Sequence, residues 1–329
     1  QKCRGITREI IRVNEMVLKV AIQMDPIETI DVGGDSTFAL GLEAQKRGFE
    51  LYYYLPENMS LRDGAVAARI RSLALKDKSE DYFSTGPEEV CHLTDVDVVL
   101  MRQDPPFDMA YITATHMLEQ ICDHTLVVNN PVAVRNGPEK ILPVMFPSLQ
   151  PPTLLTRDLN ALKDFREEFG DIILKPVYGN GGAGVFRVTE QDENFSALLE
   201  MFMVSSREPI VAQQYLPDVR QGDKRVILVE GEAVASVNRI PQPGEARANV
   251  HVGGRPEASE LSDRDIEIAK IIGSYLKDNG IVFAGIDVIG DYLTEINVTS
   301  PTCIREIAEF GGPNVAKLIW DAIEVRLKR

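Results

Sequence analysis

The feature that most constrains this chain is a short apolar segment near its carboxyl end, residues 287–297, which places the carboxylates of Asp287 and Glu295 and the carboxamide of Asn297 on predicted strands. Its pattern predicts two strands, Ile286–Ile289 and Leu293–Val298, because apolar and β-branched residues flank a Gly290-Asp291 pair that is typical of a hairpin turn. Polar groups on such strands must find partners on the same face of a sheet.

The two carboxylates of this hairpin are predicted to face each other. A three-residue turn would place Asp287 directly across from Glu295, and the alternation of side chains puts Asn297 on the same face as Glu295. Two opposed carboxylates repel each other, so they need a cation, and carboxylate and amide oxygens suit Mg²⁺. We therefore predict a magnesium site at these three residues, with a solvated hairpin face as the alternative.

A glycine-rich stretch, residues 179–184, lies between two further predicted strands, Asp171–Pro176 and Val185–Val188. Its spacing matches a dinucleotide-binding fingerprint, but that fingerprint requires a following helix, and the residues after Gly184 favour a strand. The stretch predicts either a hairpin tip that closes over phosphates or a merely flexible loop. Lys175 favours the first interpretation, because an ammonium inside an apolar strand needs a negative partner.

Two weaker features lie between these segments. The strand leading into residues 213–217 can offer backbone N–H and C=O groups to a purine edge, with Tyr215 and Leu216 beside the ring. Arg225, at the start of the next apolar strand, could contact a carboxylate or phosphate with two hydrogen bonds, and a solvated arginine is the alternative.

Longer motifs resemble those of the bacterial glutathione synthetases, which are ATP-grasp carboxylate–amine ligases. The order of the features above is that of ATP-grasp ligases, and the resemblance extends from about residue 17 to the carboxyl terminus. The matching motifs are Met24-Asp-Pro26, Met101-Arg-Gln-Asp-Pro-Pro-Phe-Asp108, Ile172-Ile-Leu-Lys-Pro176, Asp223-Lys-Arg225, Arg239-Ile-Pro-Gln242 and Thr294-Glu-Ile-Asn-Val-Thr-Ser-Pro-Thr-Cys-Ile-Arg-Glu306. The loop at 178–184 departs from the family, since relatives often carry an acidic residue and a methionine there.

The resemblance implies a fold and a reaction. The fold would be α/β: an N-terminal doubly wound parallel sheet, a small α+β lid domain and a C-terminal α+β domain. ATP would be a co-substrate with two Mg²⁺ ions, for which Mn²⁺ could substitute. γ-Glutamylcysteine and glycine would join through an acyl phosphate to give glutathione, ADP and phosphate. The family is commonly tetrameric, which implies a homo-oligomer.

Together the motifs and the resemblance give each candidate residue a role. The catalytic residues would be Lys175, Arg225 and Arg247. The nucleotide would be bound by Lys140, Lys175, Gly181, Gly182, Gln213, Gln214, Tyr215, Leu216, Asp223 and Asn249. The other substrates would be bound by Arg102, Asp104, Arg225, Arg239, Arg255, Ser300 and Thr302, and the metal by Asp287, Glu295 and Asn297.

The predicted organisation has four parts. Residues 1–16 are an N-terminal extension that is possibly non-native, residues 17–136 the substrate domain, 137–211 the lid domain, and 212–329 the ATP-grasp domain with a mobile, Pro- and Gly-rich loop at 240–255. The first domain alternates strands and helices, which favours a parallel sheet with ligands at the carboxyl ends of its strands. Pro138 is predicted to begin a connecting helix, and the last helix is predicted at 313–327, with an apolar face in the core.

Composition excludes several classes of protein. The formal charge of −15 argues against a nucleic-acid surface, because phosphate backbones require clustered cations. No apolar run reaches the roughly 20 residues of a membrane span, and no zinc or C-x-x-C spacing appears among the four cysteines. We therefore expect a cytoplasmic protein with no nucleic-acid or membrane partner.

Other functions remain open from the sequence. The nearest alternative is another ATP-grasp ligase, such as a peptide or D-alanine ligase, which would differ in its substrate residues. A nicotinamide oxidoreductase would require a helix from Gly182 and a ribose-binding acid near residue 204, where the sequence has none. A nucleotide-binding module without catalysis would bind ATP and release no phosphate.

Overall fold

The structure is a computed structural model that describes residues 17–249 and 252–328. The predicted extension, residues 1–16, and two residues of the predicted mobile loop, 250–251, lie outside the described residues. The described chain builds three sheets.

The first sheet combines a parallel centre with an antiparallel extension. Its central strands run in the order β2-β1-β6-β7 and are all parallel, as predicted, and β3, β4 and β5 continue it antiparallel beyond β2. Its strands are β1 (Lys19–Gln23), β2 (Glu50–Tyr54), β3 (Met59–Arg62), β4 (Ala65–Leu75), β5 (Phe83–His92), β6 (Val98–Met101) and β7 (Leu126–Val128). Its helices are α1 (Ser36–Lys46), α2 (Met109–Glu119) and α3 (Pro131–Asn136).

Helices cover both faces of this sheet, as a doubly wound domain requires. Phe38 and Leu40 of α1 pack in one apolar core, whereas Tyr111 and Leu118 of α2 pack in the other. Both cores continue into the third sheet, so the first and third sheets are packed together. The carboxyl ends of β1 and β6 remain open at one edge, where Asp25 and Arg102 follow them.

The second sheet is small, antiparallel and has a core of its own. Its strand order is β10-β9-β11-β8, and its two helices pack Leu162, Phe165 and Leu199 against it. Its elements are β8 (Thr153–Thr156), α4 (Leu159–Phe169), β9 (Ile172–Pro176), β10 (Phe186–Val188), α5 (Phe195–Ser205) and β11 (Ile210–Gln214). The glycine-rich stretch joins β9 to β10, which are paired antiparallel, so it is a hairpin tip and no helix follows it. β11 crosses the predicted boundary at residue 212.

The third sheet is antiparallel, in the order β14-β13-β12-β15-β16. Its elements are β12 (Asp223–Val229), β13 (Glu232–Ile240), β14 (Arg255–Ser259), α6 (Asp263–Asp278), β15 (Phe283–Ile289), β16 (Tyr292–Asn297), α7 (Ile304–Glu309) and α8 (Val315–Leu327). Val315, Ile319 and Ile323 of α8 are buried, which confirms the predicted core face of the last helix.

The hairpin of β15 and β16 differs from the prediction in its turn. Only Gly290 and Asp291 separate the strands, so the predicted three-residue turn is wrong. Thr294 forms a bulge, because Val288 pairs with Leu293 while the preceding pair is Asp287 with Glu295. The bulge adds one residue to β16, and this compensates for a turn that is one residue shorter than predicted. Asp287 and Glu295 therefore still lie opposite each other.

The predicted helix at Pro138 is also wrong. Residues 139–141 form a turn, and Leu142–Met145 form a short 3-10 helix. Pro143 lies within this segment and lacks a backbone N–H, so a regular α-helix is unfavourable here. The turn brings Lys140 close to β16, because the Ile296 backbone N–H donates to the Glu139 carbonyl at 3.0 Å.

Asn129 fixes the first sheet against the hairpin of β15 and β16. Its Nδ2 donates to the carbonyls of Phe283 and Val298 at 2.7 and 2.8 Å, and its Oδ1 accepts from the N–H groups of Val282 and Phe283. All of these bonds are buried, so the end of β7 and the strands of the hairpin hold a fixed relative position.

Candidate active site

Three charged side chains lie abreast across the third sheet. Arg225 on β12 pairs with Asp287 on β15, which in turn pairs with Glu295 on β16. Side chains at directly paired positions point to the same face of a sheet, so the three form one polar row. Asp287 and Arg225 are buried, and Glu295 is partly buried.

Asp287 is held by two arginines. Arg225 donates to it from Nε at 2.5 Å and from Nη2 at 3.1 Å, and Nη2 of Arg239 lies 3.1 Å from its Oδ2. Burial alone would raise the pKa of Asp287, but Arg225 and Arg239 outweigh it and hold the pKa at about 2. Asp223 also pairs with Arg239, at 2.7 Å, and burial raises its pKa to about 6.

Glu295 is held by two lysines that come from different parts of the chain. Lys175 on β9 lies 3.2 Å from its Oε1, and Lys140 lies 3.6 Å from the same atom. Burial would raise the pKa of Glu295, yet Lys140 and Lys175 lower it below its usual range. Since β9 belongs to the second sheet, this contact joins the second sheet to the third.

Glu139 is a site residue that the sequence did not reveal. Its carboxylate contacts the ammonium of Lys140, which also donates to the Gly179 carbonyl of the glycine hairpin. Burial and the neighbouring Glu295 raise the pKa of Glu139. Its position next to Lys140, a predicted phosphate ligand, was the one sequence feature that could have identified it.

The three predicted metal ligands converge and suit a hard dication. Asp287 and Glu295 are paired in register, and Asn297 follows Glu295 on the same face with a buried Nδ2 that has no hydrogen-bond partner within the described part of the chain. No group of three or more acidic, histidine or cysteine side chains able to hold a metal occurs among residues 17–249 and 252–328. Two carboxylates and an amide fit Mg²⁺, which fills its remaining positions with water and phosphate oxygens.

A narrow cavity, called here the inner cavity, lies between the second and third sheets. Lys175, Asp287 and Glu295 form its polar end, and apolar side chains such as Ile173 and Ile289 form its wall. The other predicted nucleotide-binding residues that line it are Gln213, Gln214, Tyr215, Leu216, Asp223 and Asn249. A ligand with a flat apolar ring and a charged tail would fit this cavity, with the ring against the apolar wall and the tail at the polar end.

A wider cavity, called here the central cavity, opens on the other side of the polar row. Arg225, Arg239 and Asn297 line its inner part, and Gly181 borders it. The predicted substrate residues Arg102, Asp104, Ser300 and Thr302 also line it. The buried Arg102 donates to Thr37 Oγ1 at 3.0 Å and to the Pro301 carbonyl at 2.9 Å, so it also ties β6 to the segment after β16.

The segment before residue 250 meets the glycine hairpin above the inner cavity. Arg247 donates from Nη1 to the Gly182 carbonyl at 3.3 Å, and a Cβ added at Gly182 would lie 2.8 Å from Asn249 Oδ1. Arg247 also forms an ion pair at 2.7 Å with Glu245. Arg220 joins this segment to the nucleotide-binding stretch, because it donates to the Glu245 carbonyl at 2.6 Å and to the Tyr215 hydroxyl at 3.3 Å.

Arg255, a predicted substrate-binding residue, lies away from the polar row. The side chain of Arg255 is exposed at the start of β14 and forms an ion pair at 2.6 Å with Glu257. The structure does not bring it to the polar row with the other candidates.

Solved structures share this fold. D-cycloserine synthetase DcsG is 14% identical, over 94% of this chain and 99% of that chain, with a TM-score of 0.66. The ATP-grasp ligase PsnB, complexed with a minimal precursor, Mg and ADP, is 18% identical over 94% of this chain and 98% of that chain, with a TM-score of 0.59. The fold is therefore that of the ATP-grasp ligases, as predicted.

Sequence relationships narrow the class. Residues 18–135 match the N-terminal domain of prokaryotic glutathione synthetase, and residues 139–312 match its ATP-grasp domain. A glutathione synthetase of Brucella melitensis biotype 1 is 58% identical over 311 residues, which cover 94% of this chain and all of the relative. The chain belongs to the prokaryotic glutathione synthetase family, and the predicted family and ligase class are confirmed. In the described part of the chain, no helix combines the length and apolarity needed to span a bilayer.

Proposed function

We propose that this site joins γ-glutamylcysteine to glycine at the expense of ATP and releases glutathione, ADP and phosphate. The observation that carries the proposal is the polar row of Arg225, Asp287 and Glu295, because it lies between a cavity suited to a nucleotide and a cavity suited to a peptide. Family membership supports the choice of substrates.

The inner cavity is the proposed nucleotide site. The purine edge would meet the backbone of Gln213–Leu216, and the phosphates would reach Lys175 at the polar end and Lys140 beside Glu295. Gly181 and Gly182 would cover the phosphates. Arg247 would exchange Glu245 for a phosphate oxygen, and Asn249 would lie beside it.

The first step is attack by the cysteinyl carboxylate of the peptide on the γ-phosphoryl group, which gives an acyl phosphate and ADP. Arg225 and Arg239 face the central cavity and neutralise the carboxylate as it approaches. The glycine amine then attacks the acyl carbon, and phosphate leaves. Ser300 and Thr302 line the same cavity and would orient the substrates.

No protein nucleophile is needed for either step, so catalysis rests on position and charge. Asp287, Glu295 and Asn297 would hold Mg²⁺, with Mn²⁺ as a substitute, and the bound ions supply charge neutralisation at the phosphate oxygens. The glycine hairpin and the segment that carries Arg247 exclude water, which would otherwise hydrolyse the acyl phosphate.

Phosphate release with each substrate omitted in turn tests the proposal. The proposed function requires release when ATP, Mg²⁺, γ-glutamylcysteine and glycine are all present, together with one glutathione for each phosphate. Equal release with alanine or D-alanine in place of glycine would favour a broader peptide ligase. Binding of ATP without release under any condition would reject catalysis.

The domain bounds and the assembly of the protein are also proposals. We place the substrate domain at 17–136, the lid domain at 137–211 and the ATP-grasp domain at 212–329. We also propose a cytoplasmic homo-oligomer, a tetramer as in the family. Sedimentation velocity at several protein concentrations measures the mass of the assembly, and a species of 36.6 kDa, the mass of one chain, would reject it.

A further inference from the structure

A groove lined by acidic residues adjoins the central cavity at the open edge of the first sheet. Asp25 and Asp104 line both spaces and form the wall between them. Glu57 and Asp108 add two more carboxylates to the groove, and no Lys or Arg side chain occurs among the described residues that line it. We call it the outer groove. Asp25 and Asp104, the two carboxylates that also face the central cavity, are placed to meet a cationic group of a ligand in that cavity.

The two shared carboxylates lie close together, and in the described part of the chain neither is within ion-pair distance of a cation, although the charge of the buried Arg102 acts on Asp104. Asp104 donates its backbone N–H to Asp25 Oδ2 at 2.7 Å, which holds the two residues side by side. In the described part of the chain neither carboxylate forms an ion pair, and the nearby Arg102 donates to Thr37 and Pro301 instead. Burial raises the pKa of Asp25, and the Asp104 carboxylate adds to the rise.

A second, independent feature of the outer groove also indicates a ligand. Tyr111 lines the groove and is only 2% exposed, yet its hydroxyl has no hydrogen-bond partner among the residues that the structure describes. Its neighbours in the groove include apolar side chains such as Met59 and Met117. An unpaired buried hydroxyl is unfavourable, so a polar group that enters from the groove would gain a hydrogen bond.

The chemistry of this wall favours an organic ammonium over a metal ion. No set of three metal-ligating acids, histidines or cysteines occurs in the described chain, whereas Ca²⁺ or Mg²⁺ takes about six or more oxygens. A primary ammonium needs only two or three acceptors, which Asp25, Asp104 and Tyr111 can supply. The proposed peptide substrate carries one such group, at the end opposite the carboxylate that reacts.

We propose that Asp25 and Asp104 bind the α-ammonium group at the γ-glutamyl end of the peptide substrate, with the Tyr111 hydroxyl as a further acceptor; this rests on the proposed function. Both carboxylates line the same central cavity as Arg225, so a peptide with its reacting carboxylate at Arg225 can extend toward them. The pair then acts as a specificity site that distinguishes γ-glutamylcysteine from acyl-cysteines that lack the amino group.

The test compares γ-glutamylcysteine with glutarylcysteine, which has the same acyl chain without the amino group. The wild-type enzyme should favour γ-glutamylcysteine by about 100-fold in kcat/KM, as expected for lost charge-assisted hydrogen bonds. Asp25→Asn and Asp104→Asn should each reduce this preference to about tenfold or less, chiefly through KM for the peptide. KM for ATP should not change. Glu57→Gln is the matched control, because Glu57 lines the outer groove only, and it should keep the full preference.

Equal use of the two acceptors by the wild-type enzyme, or a full preference retained in both variants, would overturn the proposal while leaving the ligase function intact. The same loss of preference in Glu57→Gln would assign the effect to the general charge of the groove and would also overturn it. Failure of the wild-type enzyme to convert γ-glutamylcysteine would instead reject the proposed function. If a variant does not fold, the wild-type comparison of the two acceptors decides alone.

Discussion

Arg225 and Asp287 lie directly abreast on adjacent strands and form a two-point ion pair in the buried centre of the site, with Nε 2.5 Å from Oδ1 and Nη2 3.1 Å from Oδ2. A carboxylate proposed to bind a dication is thus already ionised and held in place before any ligand arrives. The ion pair stabilises the ligand-free protein, and the proposed function uses both of its residues again when substrates bind.

The first prediction concerns stability. Asp287→Asn should destabilise the ligand-free protein by about 3–5 kcal/mol, because Arg225 and Arg239 lose a buried counter-ion. Urea unfolding without nucleotide measures the effect. Asp171→Asn is the control: its ion pair with Arg187 is also close, at 2.7 Å, but is partly exposed, so the loss should stay below about 1 kcal/mol. Equal losses would contradict the buried-pair argument.

The second prediction concerns acid stability. The folded-state pKa of Asp287, about 2, lies below its ordinary value of 3.8. A carboxylate whose pKa is lower in the folded than in the unfolded protein stabilises the fold at pH values above its ordinary pKa. This stabilisation is lost as the pH falls toward the folded-state pKa. Between about pH 4 and pH 2 the wild type should therefore lose on the order of 2 kcal/mol that Asp287→Asn does not lose. Parallel pH profiles for the two proteins in urea unfolding would refute this.

The third prediction concerns turnover. Glu295→Gln keeps the size of the side chain but removes its charge, so the proposed metal site loses a ligand charge and Lys140 and Lys175 lose their shared partner. Turnover should fall by at least about 100-fold, while circular dichroism shows a folded protein. An unchanged rate at saturating ATP and Mg²⁺ would remove Glu295 from the proposed metal site.

The fourth prediction concerns the glycine hairpin. Gly181 and Gly182 both have positive φ, 59° and 81°, so alanine at either position meets the same backbone strain of about 1–2 kcal/mol. The Cβ added at Gly182 would approach another segment, at 2.8 Å from Asn249 Oδ1, whereas at Gly181 no atom of the described residues lies within 4 Å. Gly182→Ala should therefore lower kcat several-fold more than Gly181→Ala. Equal rates for the two variants would show that the hairpin and the Asn249 segment need not meet during turnover.

The fifth prediction concerns Arg220, which links the nucleotide-binding stretch to the segment that carries Arg247. Arg220→Gln removes the bonds to Tyr215 and Glu245, each worth about 1 kcal/mol, so KM for ATP should rise roughly threefold to tenfold. Trypsin should also cleave after Arg247 faster in the ligand-free variant. Arg69→Gln, at an exposed arginine of β4 that pairs with Glu88 at 3.4 Å, is the control and should behave as wild type in both assays. A rise in KM without faster cleavage would mean that Arg220 does not anchor the segment.

Part of the site could be predicted because it depends on local rules. The shared face of Glu295 and Asn297 follows from strand alternation, and the opposition of Asp287 and Glu295 was predicted from a three-residue turn; the pairing is confirmed, although a two-residue turn and a bulge produce it. The turn length depends on the bulge at Thr294, and no residue pattern distinguishes a two-residue turn with a bulge from a three-residue turn.

Other features depend on contacts between distant segments. The partners of Arg225 and Lys175, namely Asp287 and Glu295, are 62 and 120 residues away in sequence, so the ion pairs could not be assigned before the fold was known. The antiparallel strands β3 to β5 were not predicted either. β4 does bury alternate residues, including Val66, Ala68 and Ile70. Its alanines, arginines and leucines favour a helix, however, so the alternation typical of a strand is hard to recognise in the sequence.

The separate core of the second sheet has a mechanical consequence. None of the side chains in that core also belongs to the two cores that unite the first and third sheets, so the small unit would keep its own apolar core if it moved relative to them. Such a movement would break the ion pair of Lys175 with Glu295, the hydrogen bonds that Lys140 and Arg247 donate to the glycine hairpin, and the stacking of Tyr178 on Phe107. Charged side chains therefore make much of the contact between the second sheet and the rest of the molecule, and a polyanion that binds both lysines would change that contact directly.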